Sequence, residues 1–135
     1  MNIETTLSET VLVVEDDPDL RELTTWILER EGYTVVTARN GHDAMRLIRS
    51  RSKDAFDLVL TDITMPGMGG EEMAEAMGGL NPKLKILFTS GLTDGEVSED
   101  DTACRQFLPK PCAPSALVRK VREVIDSPVA TLRAA

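Results

Sequence analysis

Five short apolar runs, separated by longer stretches with helical periodicity, limit the fold of this chain more than any other feature. The runs occupy residues 11–14, 33–38, 57–61, 85–90 and 106–109. Three of them are continuous instead of alternating with polar residues, which is typical of strands that are covered on both faces. Strands that alternate with helices form βαβ units, so the sequence predicts a parallel α/β sheet with helices on both sides.

Four amphipathic stretches are predicted to form these helices, at residues 18–31, 41–52, 70–77 and 114–125. In the first, Asp17 is in position to cap the N-terminus, Pro18 suits the first turn, and Gly32 is expected to end the helix. Trp26 is expected at its edge, half exposed. The apolar residues of this stretch recur at helical spacing, which supports the helix: Leu20, Leu23, Ile27 and Leu28.

Length and charge exclude several classes of function. The 135 residues suit one domain, predicted at residues 10–126, with flexible flanks at 1–9 and 127–135. The 15 Lys and Arg against 23 Asp and Glu give a net charge of −8, which disfavours binding to nucleic acid or to an anionic membrane. The sequence has no signal-peptide pattern and no long apolar stretch, so we expect a cytoplasmic protein without membrane insertion.

Charged side chains stand where the predicted strands end. Glu15 and Asp16 come directly after the first run, Asp62 after the third and Lys110 after the fifth. In the flavodoxin-like strand order 2-1-3-4-5, the first and third strands are neighbours, and ligands bind beyond the carboxyl ends of the strands. Carboxylates that converge there repel one another. Magnesium (Mg²⁺) suits one or two carboxylates, waters and a phosphoryl oxygen, so a magnesium site is predicted.

Four motifs resemble the receiver domain of bacterial response regulators and hybrid histidine kinases: "VLVVEDDP", "VLTDITMPGMGG", "ILFTSG" and "FLPKP". The resemblance covers residues 10–126, and the ordered set is far more specific than any single motif. It implies a flavodoxin-like, doubly wound (βα)5 fold. It further implies that Asp16 binds Mg²⁺ directly, Glu15 binds it through water, and Thr64 offers its carbonyl oxygen. Asp62 would be both a metal ligand and the phosphoacceptor.

The same resemblance assigns the residues that would contact or respond to the phosphoryl group. Ser90 matches the hydroxyl switch residue, Lys110 the phosphate-binding lysine, and Phe107 the aromatic switch. From the residues alone, Thr89 and Ser90 are both candidates, and only the resemblance selects Ser90. Phe107 has no hydroxyl group, so a switch at this position would work by rotation of its ring.

The resemblance implies a signalling switch more than an enzyme. A phosphoryl group would pass from the phosphohistidine of a histidine kinase or phosphotransfer protein to Asp62 in a reaction that depends on Mg²⁺. The surface that binds a downstream protein target would then change. A free-standing regulator and the receiver of a hybrid kinase both fit. Residues 92–106 are acidic, with Ser98 as their only possible helix cap, so the fourth helix of the family fold is predicted to be short or disordered.

Other interpretations stay open. A flavodoxin-like binder of small molecules would need a phosphate-cradling loop after the first strand, where three acids stand instead. A degenerate receiver, acting as an interaction module independent of phosphorylation, would have no need of the acids and Lys110. Taken alone, Asp62 could be a turn residue and Lys110 a surface lysine.

Overall fold

Strands and helices alternate along the part of the chain that the computed structural model describes, residues 9–51, 55–62, 69–90, 105–109 and 114–127. Within it, strands β1 to β5 occupy Thr10–Val14, Thr34–Ala38, Leu58–Asp62, Ile86–Ser90 and Arg105–Pro109. Helices α1 to α4 occupy Pro18–Arg30, Gly41–Ser50, Gly70–Leu80 and Pro114–Asp126. No helix in these ranges is long and apolar enough to cross a membrane. Of the segment predicted to hold a short helix, only residues 105 and 106 are described, and they begin β5.

The strands form one parallel sheet in the order β2-β1-β3-β4-β5. This order confirms the predicted flavodoxin-like arrangement. In the register of the sheet, Val14 of β1 lies opposite Thr61 of β3, and Asp62 lies opposite Thr89 of β4. The carboxyl ends of β1, β3 and β4 therefore lie side by side, and the polar residues at these ends are brought together.

The sheet divides the core into two layers, and neighbouring residues of one strand belong to different layers. Leu12 and Val14 pack in a cluster with residues of α2 and α3. Val11 and Val13 pack in a second cluster with residues of α1 and α4. All four side chains are at most 2% exposed. Since helices cover both faces of β1, residues 11–14 all carry apolar side chains, which explains the continuous apolar run.

Helix α1 begins as predicted, but not all of its apolar residues are buried. The Asp17 carboxylate caps the helix by accepting hydrogen bonds from the amides of Asp19 and Leu20, at 2.9 and 3.3 Å. Gly32, just beyond the helix, has a φ of 96°, which an L side chain rarely adopts. Ile27 and Leu28 are buried against the sheet.

Three apolar side chains of α1 are instead exposed to solvent. Leu20 is 38% exposed, Leu23 50% and Trp26 55%, and we call these three residues the α1 stripe. Leu20 and Leu23 lie in the predicted helix, but helical spacing does not make them buried, and the half-exposed position of Trp26 is confirmed. A helix turns about 100° per residue, so Leu23 and Trp26 lie about 60° and 120° around the axis from Leu20, away from the face of Ile27. Leu20 itself is seven residues before Ile27, within about 20° of it, and is exposed in the first turn of the helix.

Arg122 of α4 joins three elements at the amino-terminal end of the sheet. Its guanidinium donates to both carboxylate oxygens of Glu9, at 3.2 and 2.8 Å, and to the Asp126 carboxylate at 2.7 and 3.1 Å. It also lies 5.8 Å from the centroid of the Tyr33 ring. The hydrogen bonds from Arg122 hold the pKa values of Glu9 and Asp126 below their usual range. This cluster ties the start of β1 to the end of α4.

Candidate functional site

Three carboxylates meet at the carboxyl end of the sheet. Glu15 and Asp16 follow β1 directly, and Asp62 is the last residue of β3, the strand that pairs with β1. Each of the three offers a carboxylate oxygen, and these oxygens all lie within 4.8 Å of one another. The structure thus brings together three of the four residues that the resemblance assigned to the metal. The fourth, Thr64, lies outside the described residues.

The burial of this acidic cluster determines what it can bind. Glu15 is 7% exposed and Asp62 9% exposed, while Asp16 is open to solvent. Two like charges at such distances repel by about 1 kcal/mol in water and by about 3–4 kcal/mol at an effective dielectric constant near 20. A small divalent cation with a preference for oxygen ligands offsets that repulsion, and Mg²⁺ takes one or two protein carboxylates while keeping waters for the remaining positions. The donor set therefore fits Mg²⁺.

Hydrogen bonds fix the loop that carries the first two acids. The Glu15 amide donates to the Ala38 carbonyl at the end of β2, at 3.1 Å. The Glu15 carboxylate accepts from the Asp17 amide at 3.2 Å, and Asp17 in turn caps α1. Glu15 and Asp17, on either side of Asp16, are thereby tied to the sheet and to the first turn of α1.

Arg21 adds a restraint that the sequence analysis missed. It lies in α1, and its guanidinium nitrogen Nη1 donates to the backbone carbonyl of Glu15 at 2.8 Å. No motif marks this residue. The available signal was a cation close to a helix N-terminus, where the helix dipole favours negative charge.

The two hydroxyl candidates at the end of β4 differ in what the structure describes. Thr89 is 9% exposed, and its hydroxyl points to the Thr61 carbonyl at 3.5 Å. That hydroxyl is therefore directed at the backbone of the neighbouring strand. Ser90 is the last residue of β4, and its side chain is outside the described part of the structure.

The remaining predicted site residues are on or beyond β5. Lys110 lies outside the described residues. The backbone of Phe107 is in β5, opposite Phe88 of β4, and its side chain is not among those described. Their roles stay predictions.

Comparison with known proteins gives consistent matches. A family model for the response regulator receiver domain matches residues 11–122. The response regulator receiver protein CpdR of Brucella abortus (strain 2308) is 34% identical over 117 residues, covering 85% of this chain and 95% of that protein. Sensor kinase CckA of the same organism is 31% identical over 121 residues, which are 88% of this chain but 13% of the kinase.

Solved structures show the same architecture. Response regulator protein TrrA of Thermotoga maritima, in complex with Mg²⁺ and BeF, has a TM-score of 0.76 and 31% identity, with 86% of this chain and 98% of that chain covered. A response regulator receiver domain protein of Clostridium thermocellum has a TM-score of 0.77 at 21% identity, covering 87% of this chain and 94% of that chain. At this lower identity, the second match supports the fold alone.

Proposed function

Since the chain belongs to the family of response-regulator receiver domains, we propose that it accepts a phosphoryl group from a phosphohistidine on Asp62. The observation that carries this proposal is the meeting of the Asp62 carboxylate with those of Glu15 and Asp16, all within 4.8 Å. The donor would be a histidine kinase or a phosphotransfer protein. Such a protein is a signalling switch more than an enzyme, and its cytoplasmic location stays an expectation from the sequence.

The chemistry proposed for Asp62 needs no general base. A carboxylate is ionised at neutral pH, so one of its oxygens can attack the phosphorus atom directly. A P–O bond forms while the P–N bond to the histidine breaks, and the electron pair of that bond stays on the imidazole. Because phosphoryl transfer has little other covalent chemistry, the protein contributes mainly positioning and charge.

The residues around Asp62 would supply that positioning and charge. Glu15 and Asp16 would hold Mg²⁺ together with Asp62 and the Thr64 carbonyl, and the ion would neutralise charge on the phosphoryl oxygens. Lys110 would bind a further phosphoryl oxygen through its ammonium group. Since the Thr89 hydroxyl is directed at a backbone carbonyl, we assign the hydroxyl contact to Ser90.

The proposed output is a change of surface. Once phosphorylated, the chain would draw the Ser90 hydroxyl toward the phosphoryl group and allow the Phe107 ring to rotate, changing the face that a downstream protein binds.

The phosphoacceptor is tested by intact-mass spectrometry after incubation with acetyl phosphate and Mg²⁺. One added phosphoryl group is expected on the wild type and none on Asp62→Asn. Asp57→Asn is the matched control, because Asp57 precedes the same strand at its opposite end and accepts a hydrogen bond from the Thr10 amide that an asparagine oxygen can also accept. Modification of Asp62→Asn to the wild-type level would overturn the proposal. An unmodified wild type that still binds Mg²⁺ would favour the degenerate receiver.

We place the contact with the phosphohistidine protein on the α1 stripe. Residues 15–17 form the acidic loop, and helix α1 starts directly after it because Asp17 caps the helix. A protein that reaches Asp62 therefore also passes over the start of α1. Leu23→Asp should then slow phosphoryl transfer from a phosphorylated phosphotransfer protein by about fivefold or more, as expected for an apolar interface residue. Transfer from acetyl phosphate should not change. Leu80→Asp, at an exposed leucine of α3, should affect neither reaction.

A further inference from the structure

Arg21 is placed on the backbone of the acidic loop and not on its carboxylates. Its Nη1 donates to the Glu15 carbonyl at 2.8 Å, in a partly buried setting. That carbonyl belongs to the peptide group that joins Glu15 to Asp16. The guanidinium therefore forms a hydrogen bond with the peptide group between Glu15 and Asp16, two of the three clustered acids.

The helix dipole and the nearby carboxylates act on Arg21 in opposite directions, since the dipole disfavours a cation and the carboxylates attract it. Arg21 is the fourth residue of α1, where the partial positive charge of the helix N-terminus disfavours a basic side chain. The positive charge of Arg21 beside the acidic cluster also disfavours the binding of a metal cation there. A residue that breaks the charge rule for helix N-termini beside a predicted site is a candidate for a role in function.

The position of Asp16 depends on its neighbours in the chain. Asp16 is exposed, so core packing does not hold its carboxylate. On its C-terminal side, Asp17 is anchored as the cap of α1 and through its amide to the Glu15 carboxylate. On its N-terminal side, the Glu15 amide is anchored to β2, and the Glu15 carbonyl is anchored by Arg21.

We infer that Arg21 is a positioning residue for the divalent-cation site. By holding the Glu15–Asp16 peptide, it keeps the carboxylates of both acids directed at Asp62 before the cation binds. The inference rests on the proposed function, because it takes the acidic cluster as the site for Mg²⁺. Removing a residue that orients a metal ligand typically lowers metal affinity by about 10–100-fold. Arg21 bonds to the backbone and not to a ligand atom, so we expect an effect at the lower end of that range.

The direction of the change in Mg²⁺ affinity distinguishes a positioning role of Arg21 from a purely electrostatic one. If Arg21 acted only through its charge, Arg21→Met would remove a repulsive cation and bind Mg²⁺ more tightly. If it positions the loop, the same variant should bind Mg²⁺ about tenfold more weakly. Arg21→Lys keeps a donor on a long side chain and should recover most of the affinity. Arg30→Met is the charge-matched control at the far end of α1, where the guanidinium lies 4.7 Å from the centroid of the Trp26 ring.

Isothermal titration calorimetry with MgCl₂ at constant ionic strength measures these affinities without any phosphodonor. Arg30→Met should bind as the wild type does or slightly more tightly. If Arg21→Met does not fold, Arg21→Gln takes its place, with the same expected direction. Wild-type or tighter binding by a folded Arg21 variant would overturn this inference and leave the proposed function standing. No binding of Mg²⁺ to the wild type would overturn both.

Discussion

The acidic cluster should make the protein less stable without Mg²⁺ than its fold would otherwise allow, and Asp16→Asn tests this directly. The carboxylates of Glu15, Asp16 and Asp62 come together only in the folded chain, so their repulsion is largely absent from the unfolded state. Replacing the exposed member by its neutral isostere removes charge from the cluster and leaves the buried side chains in place. In the absence of Mg²⁺, the variant should therefore melt at a higher temperature than the wild type.

The distances allow the size of this effect to be estimated. Asp16 is exposed, so its interaction with each of the other two carboxylates, at oxygen separations within 4.8 Å, is screened nearly as in water. That is about 1 kcal/mol per pair, and about 1–2 kcal/mol for both after residual repulsion in the unfolded chain is allowed for. For a domain of this length, the melting temperature should rise by about 3–7 °C.

Mg²⁺ should stabilise the wild type much more than Asp16→Asn. At ten times its Kd, a ligand that binds only the folded state stabilises it by about 1.4 kcal/mol, which corresponds to about 5 °C. The wild type should show this shift. Asp16→Asn should lose most of it, because a neutral amide oxygen is a much weaker ligand for a hard cation than a carboxylate.

Thermal melts followed by circular dichroism, with and without Mg²⁺ at fixed ionic strength, measure both effects. Asp19→Asn is the matched control, since Asp19 is exposed in the first turn of α1 and makes the same change in net charge. It should keep the full Mg²⁺ shift and melt at or below the wild-type temperature, because its charge suits the helix N-terminus. The reasoning is refuted if the wild type shows no Mg²⁺ shift, or if Asp16→Asn keeps all of it.

Substitutions elsewhere test what holds the fold together. Arg122→Met should cost about 1 kcal/mol at pH 7 through loss of the partly exposed pair with Glu9, measured by urea denaturation. Arg122 lowers the pKa values of Glu9 and Asp126, so its contribution to the free energy of unfolding should be complete near neutral pH. This contribution should be lost as the pH falls from about 5 to 3, and the stabilities of the variant and the wild type should then converge. Gly32→Ala should destabilise by about 1–2 kcal/mol because of the positive φ, whereas Gly79→Ala, in α3 with nothing within 4 Å of the added carbon, should stabilise by about 0.5–1 kcal/mol.

The features that the sequence predicted correctly are those set by local pattern. Continuous apolar runs predicted the strands because a strand covered on both faces buries the side chains that point to either face, as in β1. The meeting of Asp62 with Glu15 and Asp16 followed because both groups stand at strand ends, and neighbouring parallel strands end together. These inferences needed the strand order but no detail of side-chain packing.

The features that were missed depend on contacts that no local pattern contains. The exposure of Leu20 and Leu23 depends on which part of α1 contacts the sheet, and hydrophobic spacing alone does not determine that contact. The pairing of Arg122 with Glu9 joins residues 113 positions apart. The bond from Arg21 goes to a backbone carbonyl, an acceptor that every residue offers, so a cation near a helix N-terminus does not by itself identify its partner.

Because the sheet divides the core into two layers, substitutions in one layer can accumulate with little effect on the packing of the other. Val11 and Leu12 are adjacent in sequence yet pack in different layers, so a change of side-chain volume on one side of the sheet meets no common neighbour on the other. Effects of substitutions that share no partners usually add. Pairs drawn from opposite layers should therefore combine independently, while pairs within one layer should show epistasis. The α1–α4 layer, which presents the exposed stripe, is thus free to be remodelled for a new partner while the α2–α3 layer keeps its packing.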